Sequence, residues 1–370
     1  MIPVNIPLIT QQDRDAVNQA LVEGWISGDG PVIQEFEAAI ASQVGRKHGV
    51  AVSNGSDALE LALRVLDLKP GDEVILPSFT IISCLAPILR AGLVPVFLDS
   101  DSETWNMRTD QLERALSEKT RAILVVHIYG IATDMSQVMS FAEAHDIRVI
   151  EDSAEAHGVF YKDKPCGSFG DLSTFSFYAN KNVTTGEGGM VVTDDAQLAE
   201  RLRYFRNLTF LDNRRFVHED LGWNMRLSSL QAALGTSQAK RVATTIDRRR
   251  AIADRYRNAL QGIDGIRFQA DEFEGNRNGY WVFGVLLDSH HKFSNAQTAM
   301  AAMADAGVGT RPFFYPLHKQ PLIAKYQHRR IGEYPVAEAL GENGFYLPNG
   351  LGMSDADLDR AVSIAHEVLA

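Results

Sequence analysis

The stretch STFSFYANKNVTTGEGGMVVT, residues 173–193, reads as two short apolar strands, STFSFY and GGMVVT, split by a polar turn. Lys181 stands in that turn, followed by two threonines and a glycine run. Two readings are open at this point. A lysine at a hairpin tip serves solubility, whereas a lysine held between buried strands is partly desolvated, which lowers its pKa and frees a nucleophilic amine.

Outward from this segment, apolar runs alternate with amphipathic stretches from about residue 48 to 210. HGVAVSN, DEVILPS, LVPVFLDS, RAILVVHIYG and IRVIEDSA read as strands. SDALELALRVLDL, TIISCLAPILRAG, TDQLERALSE and DMSQVMSFAEAHD read as helices, the first with Ser56 able to cap it. Strands separated by helices of this length predict a mainly parallel sheet covered on both faces. LSSLQAALGTSQAKRVATTIDRRRAIADRYRNALQGI, residues 227–263, reads as one long helix linking two domains. The expected division is 1–240 and 241–370.

The chain has 370 residues, 45% of them hydrophobic, ample for a packed core. A formal net charge of -11 argues against a nucleic-acid partner. The two cysteines, Cys84 and Cys166, form no metal-ligand spacing, so no metal is expected. The first residues lack a basic, apolar leader pattern, and no run approaches the ~18 apolar residues of a membrane span. A cytoplasmic protein with no membrane partner is expected. G-x-G-x-x-G before a helix and G-x-x-x-x-G-K-[ST] are both absent, which excludes a simple dehydrogenase or P-loop enzyme.

Two further stretches carry chemistry. SNGSDALEL, residues 53–61, passes from a strand through a glycine turn into a helix, where free amides and the helix dipole suit a phosphate. VIEDSAEAHG, residues 149–158, sets Glu151 and Asp152 at a strand's carboxyl end, where ligands bind in such sheets. A buried carboxylate there needs a cationic partner, and a protonated pyridine nitrogen is one. Lysine, phosphate-ready helix start and acid together are the parts for holding pyridoxal phosphate.

FSFYANKNVTTGEGG, with WISGDGPVIQEFE and LPNGLGMSDADL, resembles the sugar aminotransferases of the DegT/DnrJ/EryC1/StrS type across nearly the whole chain. The resemblance implies an α/β fold like that of aspartate aminotransferase (type I for this cofactor). Its large domain has a mainly parallel seven-stranded sheet, and a smaller α/β domain follows. It implies pyridoxal 5′-phosphate as cofactor, Lys181 as the Schiff-base lysine and Asp152 as the acid on the pyridine nitrogen. Glu155 stands where many relatives have a glutamine that reaches the ring hydroxyl. Ser176, Gly55, Ser56 and the Asp57 amide are implied at the phosphate, with Asn224 reaching the phosphate of a neighbouring subunit. Ile81 replaces an aromatic residue over the ring, so Ile81 covers that face or Phe79 turns inward.

The resemblance further implies a homodimer with shared active sites, or a tetramer of two dimers, and L-glutamate as donor. Lysine at 181, where dehydrating relatives carry histidine, favours transamination. DSDSETWNM and TRPFFYPLHKQP look most like members that aminate C4 of GDP-4-keto-6-deoxymannose. That likeness places Arg311, His318 and Phe313 or Tyr315 near the nucleotide sugar, and Trp25 and Ser27 at the mouth. The fork geometry of Arg226 suits the donor's carboxylate and equally an interface ion pair. The alternatives are the same chemistry on a UDP- or dTDP-linked keto-sugar at C3 or C4, and a non-catalytic regulator on this fold.

Overall fold

The computed structural model describes residues 1–211 and 213–370. Its main sheet is built from β1 (His48–Val52), β2 (Glu73–Pro77), β3 (Val94–Leu98), β4 (Thr120–Val126), β5 (Arg148–Asp152), β6 (Leu172–Ser176) and β7 (Gly189–Thr193). An eighth strand comes from the distant pair Arg329–Arg330, so the expected seven-stranded sheet has eight members. The order is β1, β7, β6, β5, β4, β2, β3 and then the arginine pair. Only β7 runs antiparallel to its neighbours.

Strand periodicity explains the burial on both faces. Val74 and Leu76 of β2 join one apolar cluster with Leu124 of β4, whereas Ile75 joins Ile123 and Val125 in the cluster on the other face. Helix α1 (Gln11–Glu23), α2 (Pro31–Gln43) and α3 (Gly55–Arg64) precede or follow the first strand. The parallel strands end at one edge, so Asn54, Thr80, Asp152 and Ser176 emerge on the same side.

The long helix expected over 227–263 is two helices, α4 (Ser229–Ala239) and α5 (Val242–Leu260). The helix path breaks at Arg241, with φ -125 and ψ 22, where both guanidinium nitrogens are captured by the buried Asp13 carboxylate at 2.8 and 2.5 Å. This ion pair sits at the break, the point where the chain was expected to divide.

Beyond it, β8 (Ile266–Arg267), β9 (Phe283–Leu287), β10 (Arg311–Pro312) and β11 (Gly344–Leu347) form an antiparallel sheet in the order β8, β9, β11, β10. α6 (Ala296–Asp305) and α7 (Asp355–Leu369) pack on it through Ala299, Met303, Leu358 and Ala361. The N-terminal residues, expected with the first unit, run along this second one. Ile2 sits in its core, and the carbonyls of Val4 and Ile6 accept from Asn349 and Gly352. Among the described residues, no helix is long and apolar enough to cross a membrane.

Candidate active site

The segment joining β6 to β7 is tied down by its own backbone and by side chains. Phe177 N donates to Gly188 O, Thr185 N to Phe177 O, and Asn182 Nδ2 to His157 O. Lys181 is thereby aimed inward. Its side chain is only 10% exposed, which removes the solvated-tip reading. Lys181 Nζ lies 3.6 Å from the centroid of the Trp281 ring and 3.9 Å from Glu155 Oε1. Burial pushes the amine below its ordinary value; Glu155 and Asp152 oppose that, and Arg249 adds to it.

Glu155 is fixed by Tyr129, whose backbone N–H donates to Oε2 at 2.8 Å. Tyr129 adopts a left-handed φ of 59°, which turns that amide toward the carboxylate. Burial pushes Glu155 up to about 7 against the pull of Lys181. Asp152 closes β5. Its Oδ1 accepts from Ala154 N at 3.0 Å, and the buried thiol of Cys84 lies 3.4 Å from Oδ2. Burial raises the Asp152 carboxyl above its usual range, with Ala154 and Lys181 pulling the other way. A carboxylate in that state is short of a cation, which is the fit test a pyridinium nitrogen meets.

At the start of α3, Asn54 is the cap, its Oδ1 accepting from Asp57 N at 2.9 Å. Two expectations are corrected here. Ser56 does not cap the helix; its Oγ lies 2.7 Å from Ser83 Oγ. The Asp57 amide is engaged by Asn54, so the amides of Gly55 and Ser56 are the ones that find no acceptor among the described residues. Close approach demands glycine at 55, since a Cβ there would meet Ser176 Cβ at 2.8 Å. The donor set of Gly55 N, Ser56 N and Ser176 Oγ suits a phosphate.

One cavity of about 600 Å³ gathers Gly55, Ser56, Asp57, Ile81, Asp152, Glu155, Ser176, Lys181 and Arg311. Ile81 lines this cavity and is 42% exposed, whereas Phe79 is fully buried against Phe313, Phe314 and Tyr129. Phe313 is corrected: it is core, 5% exposed and packed on Trp105, and Phe314 lines the cavity instead. His318 is also corrected. It is buried between Ser78 Oγ at 2.5 Å and Glu338 Oε1 at 3.0 Å, away from the cavity walls.

Tyr315, Trp25, Ser27, Asn224 and Arg226 likewise lie outside the walls of this chain's cavity. The Ser27 carbonyl accepts from Ser229 at the start of α4, Asn224 bridges to Asn207, and Arg226 Nη1 donates to Asn207 Oδ1 at 2.6 Å. Trp281, Cys84, Tyr129 and Arg249 escaped sequence reasoning. The one available signal was YWVFG, but Trp281 stands before β9 begins, outside the periodic part.

A ring nitrogen of His127, a Glu151 oxygen and Cys166 Sγ lie within 4.8 Å of one another, all buried. Glu151 already accepts from His127, Ser153, Ser173 and the amides of Gly167 and Phe169. Thr133 N occupies His127 Nδ1. Five donors exhaust the carboxylate's lone pairs, so the group is a hydrogen-bonded support beneath Asp152 and offers no metal site.

The profile of the DegT/DnrJ/EryC1/StrS aminotransferase family matches residues 7–365. The chain is similar to the GDP-perosamine synthase of Escherichia coli O157:H7, 39% identical over 96% of this chain and 94% of that protein. Among solved structures it is similar to the aminotransferase TlmJ of Streptoalloteichus hindustanus, at TM-score 0.92 and 30% identity, covering 100% of this chain and 99% of that one. It is also similar to the PMP form of the putative sugar aminotransferase Spr1654 of Streptococcus pneumoniae, at TM-score 0.90 and 27% identity, covering 100% and 99%. The fold is the type I fold of pyridoxal-phosphate enzymes. By profile, relatives and architecture alike, the chain belongs to the DegT/DnrJ/EryC1/StrS aminotransferase family.

Proposed function

We propose that this aminotransferase uses pyridoxal 5′-phosphate to move an amino group from L-glutamate to the C4 keto group of GDP-4-keto-6-deoxymannose. The observation that carries the chemistry is the inward Lys181, sharing one cavity with Asp152 and the unengaged Gly55 and Ser56 amides. The likeness to a GDP-perosamine synthase supports the sugar.

Asp152 would hold the pyridine nitrogen, the Gly55 and Ser56 amides with Ser176 Oγ the phosphate, Ile81 one ring face, and Glu155 the region of the ring oxygen. Bound there, the cofactor supplies an electron sink beside the substrate carbon that loses its proton. Lys181 Nζ takes that proton and returns it, and its lowered pKa keeps a fraction of the amine neutral for the task. Trp281 and Glu155 hold the ammonium form when the proton is on nitrogen.

Asn224, Arg226, Trp25 and Ser27 are proposed to serve the partner's site in a homodimer. Their place outside this chain's cavity supports it, as do the exposed apolar side chains Trp25, Ile26, Phe216 and Leu221. Turnover of purified protein with glutamate and a panel of nucleotide keto-sugars tests the reading. Amination of the GDP sugar is expected; amination of only UDP or dTDP sugars overturns the substrate assignment.

A further inference from the structure

Behind Trp281 lies a second cavity of about 300 Å³, adjoining the first and sharing Tyr178, Asn180, Trp281, Arg311 and Tyr346 with it. Its far wall is the N-terminal segment, through Pro3, Val4, Asn5 and Pro7. No aspartate or glutamate lines it. Two guanidinium groups do, Arg311 on β10 and Arg249 on α5.

Arg249 is the unusual one. It is 2% exposed, yet no carboxylate pairs with it among the described residues. Its acceptors are all uncharged. Nε donates to Asn182 Oδ1 at 3.3 Å, Nη2 to the Asn180 carbonyl at 2.8 Å, and Nη1 to the Asn349 carbonyl. A guanidinium carries five N–H donors, so two remain without an acceptor. Burial alone pushes the group down to about 9.

A buried charge with no counter-charge is costly. The three bonds tie α5 to residues 180, 182 and 349 and use three of the five donors, but none of the acceptors carries a negative charge, so the charge itself is not answered within the protein. A planar fork with unused donors, in a cavity free of acids and next to the lysine, matches a carboxylate.

We infer that the side cavity is a carboxylate subsite, in which Arg249, assisted by Arg311, holds a carboxylate of the amino-acid donor while the reacting end lies on the Lys181 side of Trp281. This rests on the aminotransferase reading with a dicarboxylic donor, and it assigns to Arg249 the role expected of Arg226. Selectivity for amino dicarboxylic acids over neutral amino acids follows from two guanidinium groups serving one small ligand.

The probe is glutarate, a dicarboxylate with no amine to react, titrated into cofactor-loaded enzyme and followed by tryptophan fluorescence and calorimetry. Inorganic phosphate forms the second arm. Glutarate is expected to saturate the wild type, and Arg249→Lys and Arg311→Gln are each expected to weaken it at least tenfold. The visible band of the cofactor should stay unchanged in both variants. Unchanged glutarate affinity in Arg311→Gln, and in any Arg249→Lys protein that melts as the wild type does, overturns the subsite, as does phosphate binding that is tighter and equally dependent on Arg249. Arg311 is exposed, so its variant stands if Arg249→Lys fails to fold. Glutarate binding that follows this pattern in an enzyme that transfers no amine from glutamate overturns the donor reading instead, and the subsite stands.

Discussion

Trp281 grips the Lys181 segment twice: its ring face lies 3.6 Å from Lys181 Nζ, and its Nε1–H donates to the carbonyl of Asn180, one residue earlier, at 3.0 Å. The amine and the backbone that carries it are therefore registered against one rigid side chain. A lysine positioned this way loses little entropy when it bonds covalently or accepts a proton.

Lys181→Ala removes the proposed nucleophile and proton carrier without opening the core. Turnover is expected to fall by at least ~100-fold, the lower end for a lost acid–base group, with the melting profile kept. Borohydride reduction of cofactor-loaded wild type followed by peptide mapping should tag Lys181. A tag on another lysine would end the assignment.

Glu155→Gln takes away a charge that raises the Lys181 pKa. The wild-type carboxyl gains its charge as pH rises through about 7, and from there upward it holds the lysine proton on. In the glutamine variant the amine is expected to lose its proton at lower pH. Acylation of Lys181 in cofactor-free protein, measured as a rate against pH, should therefore be several-fold faster at pH 7–8. An identical profile in both proteins contradicts the coupling.

Gly55→Ala presses a methyl group against Ser176, whose Cβ would lie 2.8 Å away. The helix backbone tolerates alanine, so the clash is taken up at Ser176 and distorts the phosphate cradle. Overpacking of this kind costs about 1–3 kcal/mol, which corresponds to a roughly tenfold or greater rise in the dissociation constant for pyridoxal phosphate. Absorbance titration reads it directly, and unaltered affinity would remove the cradle from the proposal.

Phe313→Ala separates core from substrate wall. A fully packed aromatic removed from the cluster of Trp105, Tyr129 and Phe79 should cost about 3 kcal/mol or more of stability. The KM for the nucleotide sugar should move little in protein that remains folded. A large KM change at unaltered melting temperature would return Phe313 to the substrate site.

Asp13→Asn breaks the buried pair with Arg241. Burial raises the Asp13 carboxyl, but Arg241, Thr10 and Ser237 more than offset this and hold it below 3.8. A lowered carboxyl stabilises the fold above its ordinary value and loses that contribution as pH falls. The variant should be less stable by about 3 kcal/mol near neutral pH, and the gap should narrow as pH drops below 4. Denaturant melts at several pH values measure both, and a gap that does not change with pH would rule out the ion pair as its source.

The parallel core strands and the buried placing of Lys181 were legible because apolar runs bounded by turns, and a lysine among apolar strands, are local signals. Arg329–Arg330 carries no such signal: two charged residues at a sheet edge look like loop, and only their pairing with β3 reveals a strand. The break at Arg241 was hidden because no proline or glycine marks it, and the partner of Arg241, Asp13, stands more than two hundred residues away. Phe313 and Phe314 could not be told apart because RPFFYP lies mostly outside regular structure, where alternation does not say which ring faces inward. Arg249 sat among three consecutive arginines on one helix, Arg248 to Arg250, and its neighbours reach Asp355 and the carbonyls of residues 277 and 278.

The Arg329–Arg330 strand has a mechanical implication. The excursion between β10 and β11 is laced into the first sheet through Arg329 beside Val96, Arg330 beside Phe97, and the Leu317 amide on the Ser78 carbonyl. A clamshell opening of the C-terminal half would have to unzip that seam. That seam resists a rigid parting of the two halves, which leaves side-chain movement at the rim as the easier way to admit a bulky ligand to the lysine.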